Sequence, residues 1–272
     1  MSLKRRIIAR LNRSAFVENL VYTAKHGPAR GLKRQGGMGW LPSFVPRPHE
    51  WDAEEAFIER LDWQGMTVYD VGSDQGLFSL FFAHRVGKNG QVIVFEPNRR
   101  SVRRIEQNVR HNNFDNVRIM PIGLGAGRAT MRFTFPSAEP ARGTAISAIA
   151  DQINVEPDAT TVEIEVNALD DEIKRSALPI PQFIKMDVEG MEFPALQGMQ
   201  ETLRTHRPRL SIEIHGADMA GKVANVRQVV RLLEQLNYQM RHIESLEIID
   251  SSNADHAATG HLYCEPKGAP PS

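Results

Sequence analysis

Four residues near the ends of two apolar runs have the types and spacing for proton chemistry. "IKMDVEG" supplies Asp187 and Glu189, and "SIEIHG" supplies Glu213 and His215. Side chains on a strand alternate between faces, so Glu213 and His215, two apart, share one. If the two runs lie beside each other, Asp187 and His215 converge. An imidazole titrates near neutrality and suits a general base. Asp187 would then orient it, bind a substrate hydroxyl, or act as the base itself. As structure alone Asp187 is hard to explain, because an unpaired carboxylate at a buried strand end is costly. Glu189 precedes a helix and serves equally well to complement its dipole, and His215, before Gly216, also reads as a turn residue. Asp187, Glu213 and His215 together would suit a hard or borderline divalent cation, which would lower a hydroxyl's pKa; nothing in the spacing requires one. The other histidines (His26, His49, His84, His111, His206, His242, His256, His261) have no convergent partners in the sequence and read as surface residues.

A second group of residues looks like a ligand loop. "TVYDVGSDQG" leaves a strand and turns on Gly72 and Gly76. A phosphate-binding G-x-x-x-x-G-K-[ST] loop does not fit: the two glycines are one residue too close and Leu77 replaces the lysine. A dinucleotide G-x-G-x-x-G does not fit either, since Asp74 and Leu77 stand where the second and third glycines belong. An acid facing a pyrophosphate is also repulsive. A nucleoside with positive charge and no phosphate fits better, and S-adenosylmethionine is one. Asp70 at the strand end would attract its cationic amino end, and the glycines would let backbone approach closely. Glu96, ending "VIVFEP", is placed to accept both ribose hydroxyls, as an acid after the glycine loop does in dinucleotide folds.

These residues need strands to carry them, and the chain provides a series. From Thr67 onward, "TVYDVG", "GQVIVFEP", "VRIMPIGL", "QFIKMDVEG" and "RLSIEIHG" read as strands. They alternate with the helices "GLFSLFFAHRV", "RRSVRRIEQNVRHN", "EFPALQGMQETLRTH" and "VANVRQVVRLLEQLN". That alternation implies βαβ units and a parallel sheet. The near-continuous apolar strands are those of a sheet covered on both faces. The alternation pauses over 127–168, which reads as an inserted hairpin, and "YQMRHIES", "LEIID" and "HLYCEP" read as closing antiparallel strands.

Residues 1–50 form a basic extension. Leu3, Ile7 and Leu11 recur at helical spacing among arginines, and "HGPARGLKRQGGMGWLPSFVPRP" reads as a loop. The extension is expected to act as a lid or, through residues 1–20, to rest peripherally on an anionic membrane. Asp52 is expected to cap the helix "AEEAFIERL", and the tail 267–272 to be disordered. Lysine plus arginine balance aspartate plus glutamate at 33 each, which gives no global case for nucleic acid. A single cysteine, Cys264, fits a reducing, cytoplasmic setting. No apolar run is long enough to span a bilayer.

"VYDVGSDQGLFSLFFA", "GQVIVFEPNRRSVRRIEQNV", "ALDD" and above all "IKMDVEGMEFPALQG" make the chain resemble the FkbM family of class I S-adenosylmethionine-dependent methyltransferases. The family's first loop usually reads D-V-G-A-N-x-G, so Ser73 and Asp74 depart from it, as does Arg99 after "EPN". The resemblance implies a Rossmann-like class I methyltransferase fold. That means a mostly parallel seven-stranded sheet, helices on both faces and an antiparallel closing strand, over residues 51–266. It implies a cofactor set of Asp70, Gly72, Ser73, Asp74, Gly76, Glu96, Pro97, Ile122 and Gly123, with the last two near the adenine. It also implies O-methylation of a small hydroxylated acceptor such as a sugar, glycan or natural product. A non-catalytic S-adenosylmethionine-binding or scaffold protein and an N- or C-methyltransferase are the alternatives.

Overall fold

The computed structural model describes residues 19–36, 53–137 and 142–268. The helix expected around Leu3, Ile7 and Leu11, the Asp52 cap and the end of the tail lie outside the described residues.

The chain runs β1 (Val21–Thr23), β2 (Lys33–Gln35), α1 (Ala53–Ile58), β3 (Thr67–Val71), α2 (Leu77–Val86), β4 (Gln91–Phe95), α3 (Arg99–His111), β5 (Val117–Met120) and β6 (Gly123–Leu124). It continues through β7 (Ala129–Pro136), α4 (Ser147–Asn154), β8 (Ala159–Asn167), α5 (Leu169–Ser176), β9 (Phe183–Met186), α6 (Glu192–Gln197), α7 (Gln200–Thr205) and β10 (Arg209–Glu213). It closes with α8 (Met219–Gln235), β11 (Tyr238–His242), β12 (Ile248–Ile249) and β13 (His261–Pro266).

The main sheet has the order β12-β11-β13-β10-β9-β3-β4-β5. From β10 to β5 every pairing is parallel, and β13 is antiparallel to both β10 and β11. The sheet therefore has eight strands rather than seven; the extra one, β12, is a two-residue edge strand held by Met240 and Arg241. Both faces are covered. Ile58, Phe82 and Ile105 from α1, α2 and α3 pack on one side, and Leu196, Leu203 and Val229 from α6, α7 and α8 on the other. Trp63 anchors the first layer, in ring contact with Phe81, Phe82 and Phe183.

The sequence expectation fails in four places, each for a local reason. "VRIMPIGL" is two strands, because after Met120 the chain leaves the main sheet and Gly123–Leu124 joins a smaller one. The helix expected over 192–205 breaks at Gly198, where an added Cβ would sit 2.0 Å from the Gly125 carbonyl oxygen. Two backbones pass there, so the position admits only glycine, and Met199 beside it leaves helical geometry with φ −126°. The loop expected around residue 33 contains β2, paired antiparallel with β1. Finally, α4 lies inside the insertion, which otherwise forms the sheet β6-β8-β7, with β7 antiparallel to β8 from Ala129↔Val166 to Pro136↔Ala159.

After β3 the chain winds outward through β4 and β5, then crosses back to lay β9 against the other side of β3. The carboxyl ends of β3 and β9 therefore flank the switch point, where open α/β sheets form their crevice.

Candidate functional site

Gly72 opens the crevice. It leaves β3 with φ +80°, and a Cβ there would lie 1.7 Å from the Asp187 carbonyl oxygen. The two loops at the switch point therefore pack backbone to backbone. Gly72 N–H donates to Phe95 O and Asp187 N–H to Val71 O, each at 2.9 Å. Asp74 follows with φ +48°, the left-handed region that aspartate and asparagine visit more readily than most residues. In that conformation its N–H donates to Glu96 Oε2 at 2.9 Å, while the Asn98 N–H donates to Glu96 Oε1 at 2.8 Å. Glu96 is thus held with one backbone donor on each oxygen. Burial pushes its carboxyl up to about 8, with help from Asp74 and Asp70, against the pull of the two backbone donors. Burial likewise lifts Asp74 to about 6, opposed by hydrogen bonds that include one from Ser101 Oγ.

The cleft encloses about 590 Å³, open water at its mouth included. Gly72, Asp74, Glu96, Pro97, Gly123, Asp187 and Glu189 are among the residues that line it. Phe133, Ile164 and Val166 from β7 and β8 form an apolar wall over it. That wall explains the insertion locally: alternate residues of the two strands point into the cleft, and Gly143 packs so closely on Phe133 that a Cβ would sit 2.3 Å from the ring.

Four residues of the expected cofactor set stand back from the cleft. Asp70 is buried and accepts from Ser79 Oγ at 2.5 Å, and Ser79 is also bonded to Ser73 Oγ at 2.6 Å. Asp70 and Ser73 thus brace the loop from beneath. Gly76 caps α2 with φ +81°, its Cα facing Ile105. Ile122 is buried in the core.

The four residues singled out for chemistry do converge, around His215. Its Nε2 lies 3.4 Å from Glu213, 3.8 Å from Asp187 and 3.8 Å from Glu189. Its Nδ1 is 2.9 Å from Glu192, a fully buried acid that also accepts from Asn225 Nδ2 at 2.6 Å and Gly190 N–H at 3.0 Å. Burial works against the charged imidazole, but hydrogen bonds to Glu192 and Glu213 and the charges of Asp187 and Glu189 outweigh it and push His215 up to about 11. That balance favours the charged imidazole, in which both ring nitrogens donate.

Burial pushes Asp187 above the usual carboxylate range, only partly relieved by Lys185 at 3.9 Å. Its side chain keeps 33% of its surface open, so water and acceptor can reach it. For Glu213, burial is overcome by hydrogen bonds from His215 and His261, which hold it far below the usual range. Ligand atoms of Asp187, Glu213 and His215 all lie within 4.8 Å of one another. A cation there would first have to displace the His215 proton.

Beneath this cluster lies a layer that sequence reasoning missed. Lys185 Nζ is 3.5 Å from Glu54, and Ser211 Oγ donates to Glu54 at 2.6 Å. His261 Nε2 is 3.4 Å from both Glu54 and Glu213, and its Nδ1 is 2.6 Å from Glu244. His261 and His242, expected at the surface, are buried; His242 sits 3.0 Å from Glu244. For Lys185 a signal existed, since a lysine inside the apolar run "FIKM" must find partners. For Glu192 there was a weaker one, a third acid in "DVEGME". His261 had none, because only strand pairing opposes it to Glu213.

A family model described as the methyltransferase FkbM domain matches residues 70–240. No curated protein matches the chain. Among solved structures it is similar to a methyltransferase FkbM from Methylobacillus flagellatus KT, at 19% identity and TM-score 0.48, covering 76% of this chain and 45% of that one. It thus spans less than half the length of that protein. It is similar to an O-methyltransferase from Bacillus cereus in complex with SAH, at 14% identity and TM-score 0.46, covering 84% of each. It is also similar to fibrillarin from Aeropyrum pernix with natively bound S-adenosyl-L-methionine, at 11% identity and TM-score 0.43, covering 75% and 68%. With its family segment spanning the glycine loop, Glu96 and the acidic cluster, this chain belongs to the FkbM methyltransferase domain family.

Proposed function

We propose that the protein is an S-adenosylmethionine-dependent methyltransferase that methylates a hydroxyl of a small acceptor, a sugar or natural product. The observation that carries the reading is that one cleft is lined by both a backbone-held Glu96 and the part-open Asp187. The unit responsible is residues 51–266, with residues 1–50 as an extension.

The residues present suit the cofactor. When ionised, each Glu96 oxygen accepts one backbone donor and keeps a further lone pair, the two acceptors that the hydroxyls of a ribose diol need. Gly72 and Gly123 present no side chain, and Phe133, Ile164 and Val166 offer apolar surface for a purine. When bound, S-adenosylmethionine supplies a methyl group activated by its sulfonium. The chain's part is to align the acceptor and manage its proton. Asp187 takes the hydroxyl proton, its basicity raised by burial, and His215 stays charged beside it as a hydrogen-bond donor. The β7–β8 wall excludes water from one side of the cleft. The non-catalytic reading rested on Asp74, and a left-handed loop position accommodates aspartate as it does asparagine.

Isothermal titration with S-adenosylmethionine, followed by methyl-transfer assays on pooled alcohols and amines, tests the reading. No binding at millimolar cofactor would sink it, and transfer only to amines would reassign the acceptor atom. Full activity in EDTA is expected. Loss in EDTA with recovery in Mg²⁺ or Mn²⁺ would make Asp187, Glu213 and His215 metal ligands instead.

A further inference from the structure

The glycine loop keeps a backbone that local preference alone does not favour. Gly72, Asp74 and Gly76 all have positive φ, and Asp74 carries a side chain there. Such a conformation persists only where its surroundings over-determine it. Asp74 matters most, because its N–H reaches Glu96 Oε2 at 2.9 Å in that conformation. Ser101 Oγ, on α3, donates to its side chain at 3.3 Å. The next residue, Gln75, is held twice from distant parts of the sequence. Asn108 Nδ2, also on α3, donates to its carbonyl oxygen at 3.0 Å, and Arg34 Nη2, on β2, donates to its Oε1 at 3.2 Å. Asn108 is fully buried, and its Oδ1 accepts the Gln35 N–H of β2 at 2.8 Å. One side-chain amide thus joins the backbone of the hairpin to the backbone of the loop.

We propose that the β1–β2 hairpin braces the cofactor loop, with Arg34 and Asn108 as positioning residues for Glu96 and the ribose it would hold. The inference rests on the S-adenosylmethionine reading above. The contacts form one line: Arg34 and Asn108 hold Gln75, Gln75 follows Asp74 across one peptide, and the Asp74 N–H meets Glu96. No described residue of the hairpin lines the cleft, so its influence on the cofactor passes through the loop. The hairpin is itself fixed to α3. Lys33 N–H donates to Asn112 Oδ1 at 2.8 Å, Asn112 Nδ2 returns a bond to Lys33 O at 2.7 Å, and His111 Nε2 lies 3.1 Å from Gln35 Oε1. At the start of the same helix, Asn98 caps the first turn and gives its N–H to the other oxygen of Glu96. α3 therefore carries one donor to Glu96 at its first turn and anchors the brace for the other near its last. The charge of Arg34 also offsets part of the effect of burial on Asp74.

Calorimetric titration of the full chain with S-adenosylhomocysteine, together with amide hydrogen exchange, tests the brace. Arg34→Met and Gln75→Met should each weaken the ligand about fivefold, the scale of one hydrogen bond. The double variant should lose no more than either single one, because both break the same contact. Arg34→Lys, which keeps a charge and a donor, should recover most of the affinity. Without ligand, the Asp74 amide should exchange about fivefold faster in both methionine variants, while the amides of β9 keep their wild-type rates. Wild-type affinity in both single variants overturns the proposal, as does an Asp74 amide as protected as before. So do losses that multiply in the double variant, or exchange raised equally in β9, which would mark a general loss of stability. If the wild type itself does not bind S-adenosylhomocysteine, the cofactor reading falls, and the Asp74 amide alone decides whether the hairpin braces the loop.

Discussion

The charge state of His215 decides which residue can remove a proton, and it can be measured directly. Four carboxylates surround the ring, the shortest contact being Nδ1 to Glu192 at 2.9 Å. Glu192→Gln removes one of those charges while keeping the shape. A single opposite charge at this range is worth about one to three pKa units, so His215 should fall from about 11 to roughly 8–10. The exchange has a second effect. Glu192 receives only donors, from His215, Asn225 and Gly190, and a glutamine would point its own NH₂ at one of them. One unmet donor costs about 1–3 kcal/mol. Long-range proton–nitrogen spectra of histidine-labelled protein across pH 6 to 12 would follow the ring, and denaturant titration the stability. A histidine whose folded pKa is raised stabilises the fold fully below its unfolded value near 6.5. That stability is lost as pH climbs through the folded value near 11. The wild type should therefore weaken over this alkaline window, and Glu192→Gln should reach its limit earlier. A neutral His215 ring in the wild type at pH 7 would refute the reasoning and return the imidazole to the role of base.

Gly72→Ala should lose more than about 3 kcal/mol or fail to fold. It adds strain at φ +80° to a contact of 1.7 Å with backbone that cannot move independently; near-normal denaturation would contradict this. Measured above pH 8, where Glu96 is ionised, Glu96→Gln should weaken S-adenosylhomocysteine by about tenfold or more in calorimetry, since a charge-assisted acceptor is lost. Because the ionised carboxylate is the better acceptor and burial holds Glu96 near 8, wild-type affinity should rise as pH passes through 8; a flat profile from pH 6.5 to 9.5 would count against it. Asp74→Asn should leave the melting temperature within a few degrees, whereas Asp74→Ala should cost about 1 kcal/mol for its φ of +48°.

The parallel core was legible because its signal is local. "VIVF" and "FIKM" are buried on both faces and must be apolar throughout, and helices of predictable period lie between them. Residues that respond to distant backbone were not legible. At the break, Gly198 packs against Gly125, far away in the chain, a contact that no local pattern announces. The site divides in the same way. Gly72, Glu96 and Asp187 follow from strand ends and turn chemistry. Asp70, though also at a strand end, turns inward, because Ser79 on the following helix offers it a hydroxyl. α4 has no side-chain cap to announce it; it is held instead by contacts to the loop after β9, where Gly190 meets Ile149 and Ile146.

The position of β13 sets the order in which the molecule can become whole. Though it follows both in sequence, β13 inserts between β10 and β11, not at an edge. Until it arrives, those two strands expose unpaired edges, the kind of surface on which incomplete chains associate. It also delivers His261, the cation shared by Glu54, Glu213 and Glu244. A nascent chain ending before residue 261 would lack that counter-charge for Glu54 and Glu213, so one strand completes both the sheet and the electrostatics beneath the cleft.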